Sequence, residues 1–97
     1  MKVVWSLGAL RDLRTQQLYV ARTQPAAASR IAQRIKSAAN RLATYPRYGR
    51  QAAWDPTGHF RELPVSTTPF VVLYTIDMAA EMVFIARVVH GARFREP

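Results

Sequence analysis

The stretch Phe70-Val-Val-Leu-Tyr-Thr-Ile-Asp77 is followed, after the link Met78–Glu81, by Met82-Val-Phe-Ile-Ala-Arg-Val-Val-His90. Both stretches are rich in β-branched and aromatic residues, which favour strands, and the link has the length of a hairpin turn. In the second stretch, alternation places even-numbered residues on one face and odd-numbered residues on the other, and both sets are mostly apolar. The pair therefore predicts a β-hairpin whose second strand is interior to a sheet. The end of the second strand carries His90 and is followed by Arg93, and it is expected at the edge of the scaffold, where binding residues tend to occur.

Two helices are predicted upstream of this hairpin. Ser6 is suited to cap the first, which extends from Leu7 to about Arg22, and Pro25 is suited to the first turn of the second. The second helix ends before Pro46, since the residue before a proline avoids the helical region. Small alanines on its apolar side favour a close, antiparallel helix pair. The apolar stripes are Leu10, Leu13, Gln17 and Val20, widened by Ala9 and Leu18, in the first helix, and Ala28, Ile31, Ala32, Ile35, Ala38, Ala39 and Leu42 in the second.

The remaining segments complete a single α+β domain of residues 1–97. Val3-Val4-Trp5 predicts a short N-terminal strand, and His59 to Pro64 a further one. Residues 46–58 contain two prolines and two glycines and read as an irregular connection. The order β-α-α-β-β-β predicts an antiparallel helical hairpin packed on one face of a small antiparallel β-sheet.

The composition narrows the classes of protein. The chain has 97 residues and no cysteine, so neither a disulfide framework nor a thiolate metal site is available. No apolar run approaches the roughly 18 residues that a membrane span needs. The N-terminus passes too quickly into a polar helix to be a signal peptide. We therefore expect a cytoplasmic protein with no membrane partner.

The charge indicates the kind of partner. Fourteen Lys and Arg against six Asp and Glu give a net charge of +8, and almost all of the cations are arginine. Such a surface favours polyanions, either nucleic acid or a strongly acidic protein segment. Arginine also suits bidentate contact with phosphate or carboxylate groups.

A series of residues in fixed order spans nearly the whole chain: Trp5, Ala9, Asp12-Leu13, Tyr19, Pro25-Ala26-Ala27, Leu42, Tyr45-Pro46, Gly49-Arg50, Arg61-Glu62-Leu63, Pro69–Tyr74 and Arg87–Arg93. This series resembles the ParE/RelE superfamily of toxins from bacterial type II toxin–antitoxin modules, and its closing block is more similar to the ParE branch. The resemblance implies the fold predicted above. It also implies a small antitoxin, encoded beside the toxin, whose acidic and flexible C-terminal segment wraps it.

The resemblance leaves two targets. ParE-like members act on DNA gyrase and have no accepted catalytic role, whereas RelE-like members cleave messenger RNA on the ribosome. The candidate residues for binding the antitoxin or the target are Arg34, Arg41, Arg50, Arg61, Arg87, Arg93 and Phe94. We expect gyrase binding without catalysis, and a tail from Arg93 onward that contacts the target.

The alternative is a ribosome-dependent endoribonuclease. Cleavage by the RNA 2′-hydroxyl needs an acid, a base and cations around the phosphorus. Arg61 and Arg87 are candidates for the charge, His90 for the acid or base, and Phe94 for stacking on a nucleobase. Two departures weigh against this function. The RelE branch places its catalytic lysines in the sheet region, and neither of the two lysines here, Lys2 and Lys36, is expected there. The C-terminal tyrosine of that branch is also missing.

Most of these residues also have structural interpretations. Arg87 is expected to pair with Glu62 or Asp77 across the sheet, and His90 to have a capping role at the end of its strand. Three aromatic residues are expected to pack in the core or the helical hairpin: Trp5, Tyr19 and Tyr45. His59 and His90 lack a third ligand at a recognisable spacing, so no metal and no other cofactor is expected. A simple nucleic-acid-binding module is a third, weaker hypothesis, because the aromatic residues fall mostly in apolar stripes and not beside arginines.

Overall fold

A mixed five-stranded β-sheet with two long helices packed on it makes up the computed structural model, which describes residues 1–94. The elements are β1 (Lys2–Trp5), α1 (Leu7–Thr23), α2 (Pro25–Arg41), β2 (Arg50–Gln51), β3 (Arg61–Pro64), β4 (Phe70–Asp77), β5 (Met82–His90) and a single turn, α3 (Gly91–Phe94). The strands lie in the order β1-β5-β4-β3-β2. The predicted α+β class and helical hairpin are confirmed, and β5 is interior to the sheet.

The sheet differs from the prediction in three respects. It is not wholly antiparallel, because β1 pairs with β5 in parallel. The two strands are joined by a long connection that includes both helices, and such a connection permits parallel pairing. Within the segment 46–58, expected to be irregular, β2 pairs its two residues with β3. A strand of two residues is too short to leave a periodic signal. The strand predicted from His59 to Pro64 begins at Arg61 instead of His59.

A β-bulge interrupts the hairpin between β4 and β5. Leu73 lies opposite Arg87 and Tyr74 lies opposite Ile85, which leaves Ala86 without a cross-strand partner. One extra residue reverses the alternation of every residue after it. The prediction that all even-numbered residues of β5 share a face is therefore wrong beyond this point.

The bulge decides which side chains of β5 enter the core. Val88 is buried together with Val83 and Ile85, whereas Phe84, which the alternation had grouped with Val88, is 42% exposed. Each side of the bulge thus presents valine or isoleucine to the helices.

The helices bury their predicted stripes with one correction. The Ser6 hydroxyl accepts a hydrogen bond from the Ala9 amide at 2.9 Å, which confirms the cap of α1. The stripe of α2 is buried or packed against the core along its length. On α1, however, Leu10 and Leu18 are 49% and 54% exposed, because the side of the helix that carries Ala9, Leu13 and Val20 faces the core. The largest fully buried side chains are Tyr74, Phe70, Ile35, Leu42, Ile85, Val72, Val83 and Val88.

None of the helices in the described part of the chain has the length and apolarity that crossing a membrane requires.

Candidate functional site

Side chains at the start of α1 replace a strand along one edge of β5. The pairing of β1 with β5 ends at Ile85, and the chain then turns away into α1. The Ser6 hydroxyl donates to the Ala86 carbonyl at 2.9 Å, and the Asp12 carboxylate accepts from the Val88 amide at 3.0 Å. Both backbone groups of the bulged region are thereby satisfied without a neighbouring strand.

The same carboxylate holds Arg87. Arg87 Nε lies 2.6 Å from Asp12 Oδ2 and its Nη2 lies 3.1 Å from Oδ1, so the contact is bidentate. The hydrogen bonds and charge of Asp12 raise the pKa of Arg87 above its usual range. The expected pairing of Arg87 with Glu62 or Asp77 is wrong, because α1 brings a carboxylate to Arg87 from outside the sheet. Glu62 instead has Arg50 as an ion-pair partner at 3.7 Å.

Beside this pair lies a cavity of about 580 Å³, which we call the β5 cavity. Trp54 and Phe60 form an aromatic wall with ring centroids 5.4 Å apart, and Phe94 meets Trp54 edge-on at the same centroid distance. Arg93 supplies positive charge at the cavity, and Arg87 lies there with its charge balanced by Asp12, which also lines the cavity. Aromatic faces beside arginines give a surface that combines apolar contact with bidentate hydrogen bonding.

A carboxylate at the surface fastens the loop that carries this aromatic wall. Asp55 accepts hydrogen bonds from the Thr57 amide at 3.0 Å and the Thr57 hydroxyl at 2.6 Å, and from the Phe60 amide at 2.8 Å. These bonds, led by the Thr57 hydroxyl, lower the pKa of Asp55 below its usual 3.8. The loop is therefore held most firmly when Asp55 is ionised.

The C-terminal turn α3 reaches across to α1. The Arg93 guanidinium lies over the Tyr19 ring, 5.3 Å from its centroid, which is a cation–π contact. The expectation of buried packing is wrong for Tyr19 and Tyr45, which are 48% and 64% exposed, while Trp5 packs against the core as expected. Of the predicted target-contacting tail, Arg93 and Phe94 are described here and residues 95–97 lie outside the described residues.

His90 packs at the end of β5. Its ring meets Phe70 edge-on at a centroid distance of 5.8 Å, and it also lines the β5 cavity. Its Nδ1 atom is buried and has no hydrogen-bond partner among residues 1–94. This nitrogen therefore caps no backbone group, and the structure gives His90 a packing contact with Phe70 in place of the expected capping role.

Arg61 fastens the turn that precedes β2. Its Nη1 donates to the Gly49 carbonyl at 2.6 Å. The same turn is held by the buried Tyr74 hydroxyl, which accepts from the Gly49 amide at 2.8 Å and donates to the Pro46 carbonyl at 2.7 Å. Burial is the main cause that raises the pKa of Tyr74. A Cβ at position 49 would lie 2.6 Å from the Tyr74 hydroxyl, so this close approach requires glycine.

The three candidate ribonuclease residues do not all converge, because Arg61 lies apart from Arg87 and His90, which both line the β5 cavity. Arg61 lies opposite Tyr74 and Arg87 opposite Leu73, which are consecutive on β4, so their side chains leave opposite faces of the sheet. His90 lies opposite Phe70, four residues from Tyr74, or roughly 13 Å along the strand. Arg61 and Arg87 each already bind groups of this chain.

Two of the other predicted cations lie on a second concave surface. Arg34 and Arg41 line a cavity of about 490 Å³ between α2 and the end of β3, which we call the α2 groove. Arg50 lies apart from both cavities at the edge of the sheet. Within residues 1–94 no three His, Asp or Glu side chains cluster closely enough to hold a metal ion.

The sequence pattern did not indicate that three residues of the β5 cavity belong to a site: Asp12, Trp54 and Phe60. The hypothesis that aromatic residues avoid arginines fails here, since Tyr19 lies under Arg93 and Phe94 lines the same cavity as Arg87. The one available signal was a tryptophan in a proline- and glycine-containing segment, where a large aromatic residue has little core to enter.

A family model and a similar protein both place the chain among toxins of type II toxin–antitoxin systems. The model of a family described as the ParE toxin of the type II toxin–antitoxin system parDE matches residues 3–94. Toxin RelE2 of Caulobacter vibrioides is 42% identical over 92 residues, which cover 95% of this chain and 97% of that protein.

Solved structures share the fold. A chain from the chromosomal ParDE system of P. aeruginosa superposes with a TM-score of 0.79 at 20% identity, covering 93% of this chain and 95% of its own. A chain from the RelBE2 toxin–antitoxin complex of Mycobacterium tuberculosis superposes with a TM-score of 0.60 at 21% identity, covering 92% and 88%.

Proposed function

Because this chain belongs to the ParE toxin family of type II toxin–antitoxin systems, we propose that it arrests bacterial growth by binding DNA gyrase. It acts as a binding protein without catalytic activity of its own, and a cognate acidic antitoxin neutralises it. Action on gyrase takes place in the cytoplasm.

The observation that carries this proposal is the separation of Arg61 from Arg87 and His90, the two candidates that share the β5 cavity. Catalysis by an acid, a base and cations requires those groups around one phosphate, within hydrogen-bond reach of the reacting atoms. Arg61 and Arg87 project from opposite faces of the sheet and each holds an internal partner. A chain with this arrangement is better suited to binding than to cleaving RNA.

The β5 cavity is the surface that we assign to gyrase. Trp54 is 45% exposed, and it lies against Phe94 next to two arginines. Exposed aromatic residues and arginines are the side chains that most often dominate protein–protein binding energy. The surface therefore joins the predicted cations Arg87 and Arg93 to an apolar contact area.

Two observations support an antitoxin partner: the net positive charge of this chain and the origin of the solved structures that share its fold. The P. aeruginosa and M. tuberculosis chains of similar fold come from toxin–antitoxin systems. A net charge of +8 suits an acidic segment that folds on binding, because attraction between charges helps to offset the loss of conformational freedom.

Two assays with purified protein test the target: supercoiling by gyrase and messenger cleavage on translating ribosomes. We expect inhibition of supercoiling and no cleavage. Trp54→Ala should weaken inhibition about tenfold or more, which is the effect of losing a binding hot spot of 1.4 kcal/mol or more. The matched control Tyr45→Ala removes an aromatic residue of 64% exposure that lines neither cavity, and should leave inhibition unchanged.

His90→Gln separates the two mechanisms in cells. A gyrase-binding toxin should keep its growth arrest largely intact, accompanied by DNA damage, and truncation before Arg93 should do more harm than this substitution. A general acid or base at His90 would instead make the same change lower a cleavage rate roughly 10²–10⁴-fold. A folded His90→Gln protein that has lost toxicity together with ribosome-dependent cleavage would establish the ribonuclease.

A further inference from the structure

The strand β1 forms one free edge of the sheet. The Lys2 amide donates to the Glu81 carbonyl at 3.0 Å, so the even-numbered residues of β1 direct their backbone groups towards β5. Successive residues of a strand alternate in this respect, and the N–H and C=O groups of Val3 and Trp5 therefore point away from β5. Among residues 1–94 no hydrogen bond engages these groups. The edge thus has two donors and two acceptors available to another strand.

The opposite edge of the sheet is protected, whereas β1 is not. At that edge β2 has only two residues, and Pro64 of β3 has no amide hydrogen to donate. Short edge strands and prolines are features by which proteins prevent edge-to-edge pairing. β1 has four residues, and its last three, Val3-Val4-Trp5, favour a strand. Its one charged residue, Lys2, stands at the start, so most of the strand is suited to pairing.

An apolar row begins at this edge, on the face of the sheet opposite to the helices. Val3 and Trp5 pack against the core, so the half-buried Val4 between them projects from the other face. Phe84 lies opposite Val4 in the parallel pair and is 42% exposed. A strand added to β1 would extend this row and cover Val4.

The charge of the edge favours a second copy of the chain over an acidic partner. β1 and the residues of β5 that pair with it, Met82–Ile85, contain no arginine. Lys2 lies opposite Met82, which lies opposite Asp77, so the one cation of β1 has a carboxylate in the same row. An acidic ligand finds no cationic surface here, whereas two copies can meet here without bringing arginines together.

The edge is also self-complementary. Two copies of β1 related by a two-fold axis run antiparallel. With the axis at Val4, Val3 of each copy pairs with Trp5 of the other, and each pair exchanges two hydrogen bonds. Every outward N–H and C=O group of β1 is then satisfied. An axis one residue to either side uses fewer of these groups, because one residue of each outer pair then lies outside β1.

We propose that the free edge of β1 is a homodimer interface, at which a two-fold axis at Val4 joins two five-stranded sheets into one. The two Val4 side chains lie against each other at the axis, between the Phe84 side chains of the two copies. The β5 cavity is lined by other elements, so both of its copies are accessible in the dimer. The dimer does not depend on the identity of the toxin's target.

Sedimentation equilibrium of the purified chain tests the dimer directly. We expect the mass to rise from one chain to two with concentration, and added salt not to weaken the dimer, because the edge has no ion pair to screen. Val4→Lys places two ammonium groups opposite each other and should raise the dimer Kd about tenfold. Val4→Glu should act alike, and an equal mixture of the two variants should restore the dimer. Ser29→Lys adds the same charge on the exposed surface of α2 and should leave the Kd unchanged.

Cysteine trapping tests the position of the axis, because the chain contains no cysteine. At the axis the Cα atoms of the two Val4 residues would be about 4.5 Å apart, which a disulfide can span. Phe84→Cys is the matched control, because it lies on the same face and is exposed. Its two copies would be three strand spacings, or roughly 14 Å, apart. Under mild oxidation we expect Val4→Cys to cross-link at least about ten times faster than Phe84→Cys.

The opposite outcomes overturn the proposal. A mass that stays at one chain up to about 1 mM means that no dimer of useful affinity forms. A dimer that tolerates both charged variants at Val4 uses another surface, and equal cross-linking rates place the axis elsewhere. A chain that is monomeric throughout, and whose binding to gyrase or antitoxin is weakened by Val4→Lys, assigns the edge to that partner instead. If Val4→Lys fails to fold by circular dichroism, the two cysteine variants decide alone.

Discussion

Replacing Asp12 by alanine should reduce stability more than replacing its ion-pair partner Arg87. Asp12 makes two kinds of contact, a hydrogen bond from the partly buried Val88 amide at 3.0 Å and an ion pair with Arg87 at 2.6 Å. A hydrogen bond to a charged acceptor contributes about 1.5–3 kcal/mol. The Arg87 side chain is 58% exposed, so solvent screening limits the ion pair to about 0.2–1 kcal/mol.

Urea unfolding of Asp12→Ala, Arg87→Ala and the double variant measures these contributions separately. We expect losses in the free energy of unfolding of about 2–3 kcal/mol for Asp12→Ala and below about 1 kcal/mol for Arg87→Ala. The coupling energy of the cycle should not exceed about 1 kcal/mol. Glu81→Ala, an exposed carboxylate in the β4–β5 turn, is the control for loss of a negative charge and should change stability by less than about 0.5 kcal/mol.

The reasoning is refuted if the two single variants lose the same stability and the coupling accounts for nearly all of it. The carboxylate would then act through Arg87 alone, and the Val88 amide would find another acceptor when Asp12 is absent. An Asp12→Ala variant as stable as the unaltered protein would show that the edge of β5 needs no partner beyond the bulge.

Three further predictions concern the core, the turn before β2 and the aromatic loop. Ile35→Ala, at a position 1% exposed, should lower the free energy of unfolding by about 2–5 kcal/mol, which thermal unfolding would register as a fall of at least about 8 °C; an unmoved midpoint would refute the core assignment. Tyr74→Phe leaves the buried Gly49 amide without its acceptor and should reduce stability by about 1–3 kcal/mol in urea, whereas a neutral effect would mean that water replaces the hydroxyl. The pKa of Asp55 is lowered, so its contribution to the loop is complete above the usual 3.8 and is lost as pH falls through the lowered value. In a Trp5→Phe background, the fluorescence of Trp54 should therefore change below pH 3.8 while the helix content stays constant. This change should be absent when Asp55→Asn is added.

The elements with strong local signals were predictable from the sequence. The α2 stripe repeats at helical spacing from Ala28 to Leu42, and its small residues match the close contact with α1. The strands β4 and β5 occupy the predicted ranges because long runs of β-branched and aromatic residues leave little alternative. The Ser6 cap was predictable because it is also a local feature. A hydroxyl placed immediately before a helix can accept a hydrogen bond from an amide of the first turn, three residues away.

The local pattern failed where distant segments compete for the same residues. Leu10 and Leu18 fit a helical stripe as well as Leu13 does, and only the position of the sheet decides which side of α1 is buried. Arg87 had carboxylates nearby in the predicted sheet, but the bulge at Ala86 and the position of α1 bring it to Asp12, 75 residues away in the chain. A bulge depends on pairing between strands, so alternation within one strand cannot reveal it.

The sequence by itself determined the α+β class, the helical hairpin, the cationic character and the family, because each depends on periodicity, composition or the order of short motifs along the chain. Only the tertiary structure decided which of those residues meet. It separates Arg61 from Arg87 and His90, brings Asp12 to the edge of β5, and gathers Trp54, Phe60 and Phe94 around one cavity. These arrangements depend on sheet register and helix placement, which are set by burial across the whole molecule and leave no periodic signal in the local sequence.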